Sequence, residues 1–307
     1  MKPTTYIIGA LVALGALASG VSAYLWKSTS INSLAPYEFT DSVVARKFSP
    51  LSNVAISFQS SLPENVKVYF SSGINLEVTE SDEAESPCIM VSKDWLPLLD
   101  LRESGRTLDI IVDVHGLADY YEMPEKSKRM EIHLSTPSIS LVLPKGTLAA
   151  ISSDEKCRVQ LRDMTLSHLK AAFNNRMSIE RCEIDTFALK ITGLNEYSTT
   201  HHGPSYDLLG INRPSVGEYE YSYLILTDTR IATAFISAVA PALTVSGPCH
   251  IDRLNIDARS VNRDNQFISL VDEVGFDELD WQPDNIDKVN LSISSLPAGR
   301  IVTGKRD

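Results

Sequence analysis

Cys249-His250-Ile251-Asp252-Arg253-Leu254-Asn255-Ile256 is the stretch whose reading decides the fold of this 307-residue chain. Cys249 and Ile251 alternate, so both face one side of a strand. Leu254 and Ile256 alternate too, but in the opposite phase. A shift of one residue turns the second pair outward unless the chain bends between them. The bend falls at Asp252-Arg253. Asp suits a corner because it tolerates left-handed backbone and caps nearby amides. The stretch therefore reads as strand, corner, strand, with both strands pointing inward.

The form apolar-Asp-x-apolar-x-apolar recurs. Ile184-Asp185-Thr186-Phe187-Ala188-Leu189 has it, as do Tyr206 to Ile211, Phe276 to Trp281 and Ile286 to Leu291. Looser copies begin at Leu161 and Ile231. The first positions 161, 184, 206, 231, 251 and 276 step by 20 to 25 residues. Copies at Ala118 and Val271 break the spacing, and Val271 competes with Phe276 for one rung. A period in the low twenties means stacked coils of one supersecondary unit. The expected fold class is all-β, a β-solenoid preceded by a β-rich part. The alternative is an antiparallel β sandwich with Asp in its turns.

The net charge is −11, from 28 basic and 39 acidic residues. That argues against nucleic acid and anionic lipid as main partners. The cysteines, Cys88, Cys157, Cys182 and Cys249, form no CxxC and no zinc spacing with His. Cys182 and Cys249 share one repeat position. They read as unpaired thiols packed as small hydrophobes.

Tyr6 to Trp26 is an uncharged run of 21 residues. At helical rise it spans about 30 Å, the bilayer core. Val21-Ser22-Ala23 also suits a signal peptidase. The segment is thus a retained transmembrane helix or a cleaved signal, and both export the body. The expected organisation is residues 1–27 as anchor or signal peptide, 28–36 as linker, 37–150 as a β-rich region and 151–307 as coils. In the β-rich region, Val54 to Phe58, Val66 to Phe70, Ile74 to Val78 and Leu108 to Val112 read as strands separated by Gly and Pro breakers.

Lys47-Phe48-Ser49 leads into Val54 to Phe58, followed by Val66-Lys67-Val68-Tyr69-Phe70 and Arg106-Thr107-Leu108-Asp109-Ile110. Leu141-Val142-Leu143-Pro144 and Leu148 to Ile151 come next, then Leu243 to Gly247 and Ile251 to Ala258. In these segments the chain resembles the GIN-domain family (domain of unknown function 2807), described as candidate heads of auto-transporter adhesins. The likeness spans about residues 40 to 300 and lies in pattern, not in a chemical motif. Where that family carries Ser-Gly-x-Gly turns, this chain has Phe173-Asn174-Asn175-Arg176 and Asp228-Thr229-Arg230. The resemblance implies a bacterial cell-envelope protein on a right-handed parallel β-helix.

Asp185, Asp207, Asp252, Asp277 and Asp287 would form a column on adjacent rungs. Stacked carboxylates need compensation, from Ca²⁺ or from neighbours such as Arg253 and Lys288. Solvated, paired corners are the favoured reading, because no EF-hand or Gly-Asp repeat is present. His201-His202 reads as loop, and His115, His133, His168 and His250 are scattered. GxSxG, HExxH and P-loop motifs are absent. No catalytic, cofactor-binding or metal residue is nominated, and no cofactor is expected. A non-enzymatic, adhesin-like or structural binding module is therefore the first functional reading. The alternative is a carbohydrate-active β-helix enzyme, a polysaccharide lyase or hydrolase. An acidic cleft with Arg or Lys beside clustered Asp would mark the latter.

Asn195 to Tyr223 differs from the coils around it. It holds Tyr197, Tyr206, Tyr219, Tyr221 and Tyr223, five of eleven tyrosines. Tyr206 fills an inward repeat position. Tyr197, Tyr219, Tyr221 and Tyr223 are the candidate partner-binding residues, since tyrosines give flat apolar faces with hydroxyl tips for a glycan or protein ligand. The competing reading makes the row the inward face of a rung.

Overall fold

The computed structural model describes residues 42–70, 73–119, 121, 123–126, 130–135, 138–154, 156–173, 176–192, 222–239, 242–258, 266–294 and 299–303. The first strands are β1 (Val43–Lys47), β2 (Asn53–Gln59), β3 (Val66–Phe70), β4 (Ile74–Ser81) and β5 (Cys88–Ser92). A 3₁₀ helix, Lys93–Leu98, leads to β6 (Leu99–Ser104) and β7 (Thr107–Asp113), and a second, Val114–Asp119, precedes β8 (Met130–Leu134). Next come β9 (Ser138–Pro144), β10 (Ala150–Ser153), β11 (Cys157–Arg162), β12 (Thr165–Ala172), β13 (Arg176–Glu180) and β14 (Glu183–Thr192). The rest are β15 (Ser222–Thr227), β16 (Thr229–Val239), β17 (Ala242–Ser246), β18 (Cys249–Ala258), β19 (Gln266–Val271), β20 (Val274–Pro283), β21 (Val289–Ile293) and β22 (Arg300–Thr303). The chain is all-β. Among the described residues no helix is long and apolar enough to cross a membrane. The run Tyr6 to Trp26 lies outside them.

Two compact units separate. The first comprises the described residues of Ser60–Ser72 and Asp113–Thr136. Its strands β3 and β8 pair in parallel, and Tyr69 stacks on His133 with ring centroids 5.2 Å apart.

The second unit holds two ten-stranded sheets among the described residues. The first sheet runs β1-β5-β9-β4-β11-β13-β15-β17-β19-β21, the second β22-β20-β18-β16-β14-β12-β10-β2-β7-β6. From β10 onward successive strands alternate between the sheets, and each pairs in parallel with the strand two places on. The parallel ladders reach further back than the repeat does. β2 pairs with β10 and β4 with β11, so residues 53–59 and 74–81 join the ladders too. At that end the pairs β1·β5, β5·β9 and β6·β7 are antiparallel.

The double phase of the opening stretch is real. In β18, Ile251, Leu254 and Ile256 are all buried, with Asp252 and Arg253 between them facing out. The ladders skip one pair there: Ile231 faces Ile251 and Thr233 faces Arg253, with no pairing at Ala232 and Asp252. The skip recurs in β12, β14 and β20, so each long strand kinks and shows apolar side chains inward on both sides of the kink. The resulting inward columns are Leu166-Ile184-Ile231-Ile251-Phe276 and Leu169-Phe187-Ala234-Leu254-Leu279, all buried. In the first sheet Leu76, Val159, Met177, Leu224, Val245 and Leu270 form the equivalent column.

Two expectations are corrected. Left-handed backbone is not at the described aspartates of the column. It lies between the sheets, at Asp163 (φ 54°), Arg181 (φ 50°), Asp228 (φ 49°), Gly247 (φ 106°) and Asp272-Glu273 (φ 57° and 67°). Those residues turn the chain from one sheet into the other, while the kink bends a strand without leaving it. The rung expected at Leu161 begins instead at Leu166, the partner of Ile184. β14 pairs directly with β16, and Tyr206 lies outside the described residues. Phe276, not Val271, continues the column of Ile251.

Candidate functional site

Outward residues of the second sheet line a trough of about 720 Å³. One row reads Ala150, Lys170, Ala188, Phe235, Asn255, in register from strand to strand. The next reads Ser152, Ala172, Lys190, Ser237, Asp257, Gln282. Small side chains keep the floor low. Phe235 stands 49% exposed in it, an apolar plate that the fold does not cover. Lys170 and Lys190 stand on the middle strands β12 and β14, and Asp257 stands nearer the β20 end. From β2 to β20 the trough crosses seven strands, about 29 Å at a strand spacing of about 4.8 Å. Alternating outward positions of parallel strands make this surface, so its floor reads along the sheet and not along the sequence.

Of the candidate tyrosines, Tyr223 is described. It lies on β15, 40% exposed, beside Arg176 in register. It points outward, while its neighbours Ser222 and Leu224 are buried. Tyr197, Tyr219 and Tyr221 lie outside the described residues, as do His201 and His202.

The aspartate column is interrupted. The kink positions run Ser167, Asp185, Ala232, Asp252, Asp277, so Ala232 separates Asp185 from Asp252. Asp207 lies outside the described residues and Asp287 sits in an exposed turn. Where two aspartates do adjoin, His250 stands beside both: its Nε2 is 3.4 Å from Asp252 Oδ1, which accepts no hydrogen bond among the described residues, and 3.3 Å from Asp277 Oδ1. Arg230 Nη2 adds a contact at 3.5 Å to Asp252 Oδ2. Gly275 makes room for this, since a Cβ there would come within 3.3 Å of His250 Nδ1. His250, scattered in sequence, thus neighbours two members of the column, and Arg230 brings the permanent positive charge. The ligand-type groups His250, Asp252 and Asp277 do not line the trough.

The sheet-to-sheet corners carry a stacked ion-pair network. Arg181 donates from Nε and Nη2 to both oxygens of Asp163, at 2.6 and 2.9 Å, and also meets Glu180. That fork holds the Asp163 carboxyl below its ordinary range. Arg162 bridges Glu77 at 2.7 Å and Glu180 at 3.0 Å.

The thiols are free, with Cys157 and Cys182 buried. Cys182 and Cys249 flank Thr229 in one column, two strand spacings apart, about 9.6 Å. That exceeds the span of a disulfide. Burial pushes the thiols up, Cys182 to about 11 and Cys249 to about 12.

No family model matches the sequence, and no curated protein matches it. Solved structures do. A candidate adhesin from Parabacteroides merdae is 11% identical over 90% of this chain and 100% of its own, with a TM-score of 0.34. A candidate adhesin from Bacteroides fragilis is 12% identical over 86% and 98%, with a TM-score of 0.37. A candidate lipid-binding protein from Parabacteroides distasonis is 11% identical over 88% and 100%, with a TM-score of 0.31. At such scores the fold is read from this chain's own ladders.

Proposed function

We propose that this chain is a non-enzymatic, adhesin-like binding module of the cell envelope, built on a right-handed β-solenoid whose coils are the alternating strand pairs of the second unit. The trough on the second sheet carries the reading. It is long, shallow and open, floored by small residues, with one exposed aromatic ring and with amide and charged groups along it. Extended ligands such as glycan chains or extended peptides suit such a surface, since rings stack on an aromatic plate and hydroxyls pair with amides. Tyr197, Tyr219, Tyr221 and Tyr223 belong to the same proposal as a second contact region. The names of the solved relatives agree with a binding role and add no weight. Residues 6–26 hold the body to the inner membrane, facing the periplasm, or export it.

A glycan and matrix-protein array probed with the full-length chain, with and without Ca²⁺, tests the reading. Binding that weakens at least tenfold in Phe235→Ala or Lys190→Ala, with unchanged circular dichroism, supports it. Ligand capture indifferent to both substitutions would move the site away from the trough. Tyr197→Ala and Tyr219→Ala report separately on the tyrosine region. Protease protection of fractionated cells tests the address, and intact protein found in the cytosol alone would overturn it.

A further inference from the structure

The first sheet carries a second concave surface that the trough does not explain. β4, β11, β13 and β15 place Asn75, Arg158, Arg176 and Tyr223 in one outward row, in register. Arg158 and Arg176 therefore stand on adjacent strands, about 4.8 Å apart at the backbone, where like charges repel. The neighbouring arginines of this region are matched: Arg162 meets Glu77 and Glu180, and Arg181 meets Asp163 and Glu180. Arg158 and Arg176 meet no carboxylate among the described residues, in a chain of net charge −11. Arg158 Nε is shielded and accepted by nothing, packed where a Cβ on Gly73 would lie 3.4 Å away.

A hollow of about 390 Å³ lies over this pair. Asn75, Ser138, Gln160 and Ser178 wall it with amides and hydroxyls. Glu77 is also in the wall, but its carboxylate is taken by Arg162 at 2.7 Å. Two guanidiniums side by side match the oxygens of one oxyanion, each offering a planar fork. Glu77 disfavours a doubly charged guest and leaves a single charge as the better fit. The walls suit sugar hydroxyls, and the exposed ring of Tyr223 at the end of the row suits a sugar face.

We propose that this hollow binds the carboxylate of an acidic sugar, with Arg158 and Arg176 on its oxygens. The site is independent of the trough on the second sheet, and either can fail without the other.

Isothermal titration of the full-length chain with a glucuronate oligosaccharide, the matching neutral glucose oligosaccharide and inorganic phosphate tests it. The glucuronate chain is expected to bind at least tenfold more tightly than either of the others, and less tightly as salt rises. Arg158→Gln and Arg176→Gln should each weaken it at least tenfold, while Arg181→Gln leaves it unchanged. Arg176 is exposed, so its variant carries the test if Arg158→Gln does not fold. Arg176→Lys should also weaken binding, since an ammonium lacks the fork. No binding of glucuronate, equal binding of phosphate or of the neutral chain, or wild-type affinity in Arg176→Gln would each overturn the proposal.

Discussion

The hydroxyl of Thr229 accepts the backbone amide of Cys182 at 3.4 Å, tying a residue of one rung to the next. The same oxygen reaches the carbonyls of Thr227 at 2.9 Å and Ile179 at 3.1 Å. It has one proton, so it donates to one of them at a time. Thr229 is 3% exposed, so water does not replace it. Thr229→Val keeps the shape and strands these partners. A loss of about 1–3 kcal/mol is expected, read as a lower urea midpoint at unchanged slope. An unmoved midpoint would show that the hydroxyl contributes nothing net.

Leu254 is fully buried, between Ala234 and Leu279 in its column. Leu254→Ala should cost about 2–5 kcal/mol, the range of a well-packed cavity. Phe235→Ala, one residue beyond Ala234 on the outward face, should stay within about 0.5 kcal/mol. Chemical denaturation of the two variants side by side checks both numbers.

Gly247 sits at a sheet-to-sheet corner with φ 106°, and a Cβ there would lie 2.1 Å from Leu226 O. The other corners accept Asp or Arg because their φ is near 50°. Gly247→Ala meets both strain and backbone clash, and more than about 2 kcal/mol is the expected loss. Asp228→Gly, at a corner with φ 49°, should be far milder. Thermal melts of this pair would separate the two kinds of corner.

The kinks were legible because the sequence states both phases within eight residues, and the inward columns follow from them. Register was less so. Leu161 and Leu166 both begin apolar alternations, and only the ladder to Ile184 chooses between them. The early rungs β2 and β4 carry no Asp signature, and β10 lies about 90 residues after β2 in sequence. Arg158 and Arg176 were invisible as a pair for a similar reason: 18 residues separate side chains that the ladder makes neighbours.

The buried thiols set a pH limit. Cys182 and Cys249 titrate at about 11 and about 12 when folded, against about 8.5 in an unfolded chain. Above about pH 8.5 the unfolded state therefore loses protons that the native state keeps. Stability is full below that pH and falls as pH rises toward the folded values. Denaturant midpoints measured from pH 8 to 11 should decline, and Cys182→Ala with Cys249→Ala should lessen that decline, the remainder coming from Cys157, whose thiol burial pushes up further still.

Every outward row takes one side chain from each strand, and within a sheet each strand is hydrogen-bonded only to the strands on its two sides. Insertion or deletion of one strand in each sheet would therefore lengthen or shorten the trough by one strand spacing, about 4.8 Å, and leave the chemistry of the other positions where it was. The molecule is in that sense a ruler, graduated in strands. Its reach along a ligand can be tuned by counting, while its grip at each mark is tuned by single substitutions.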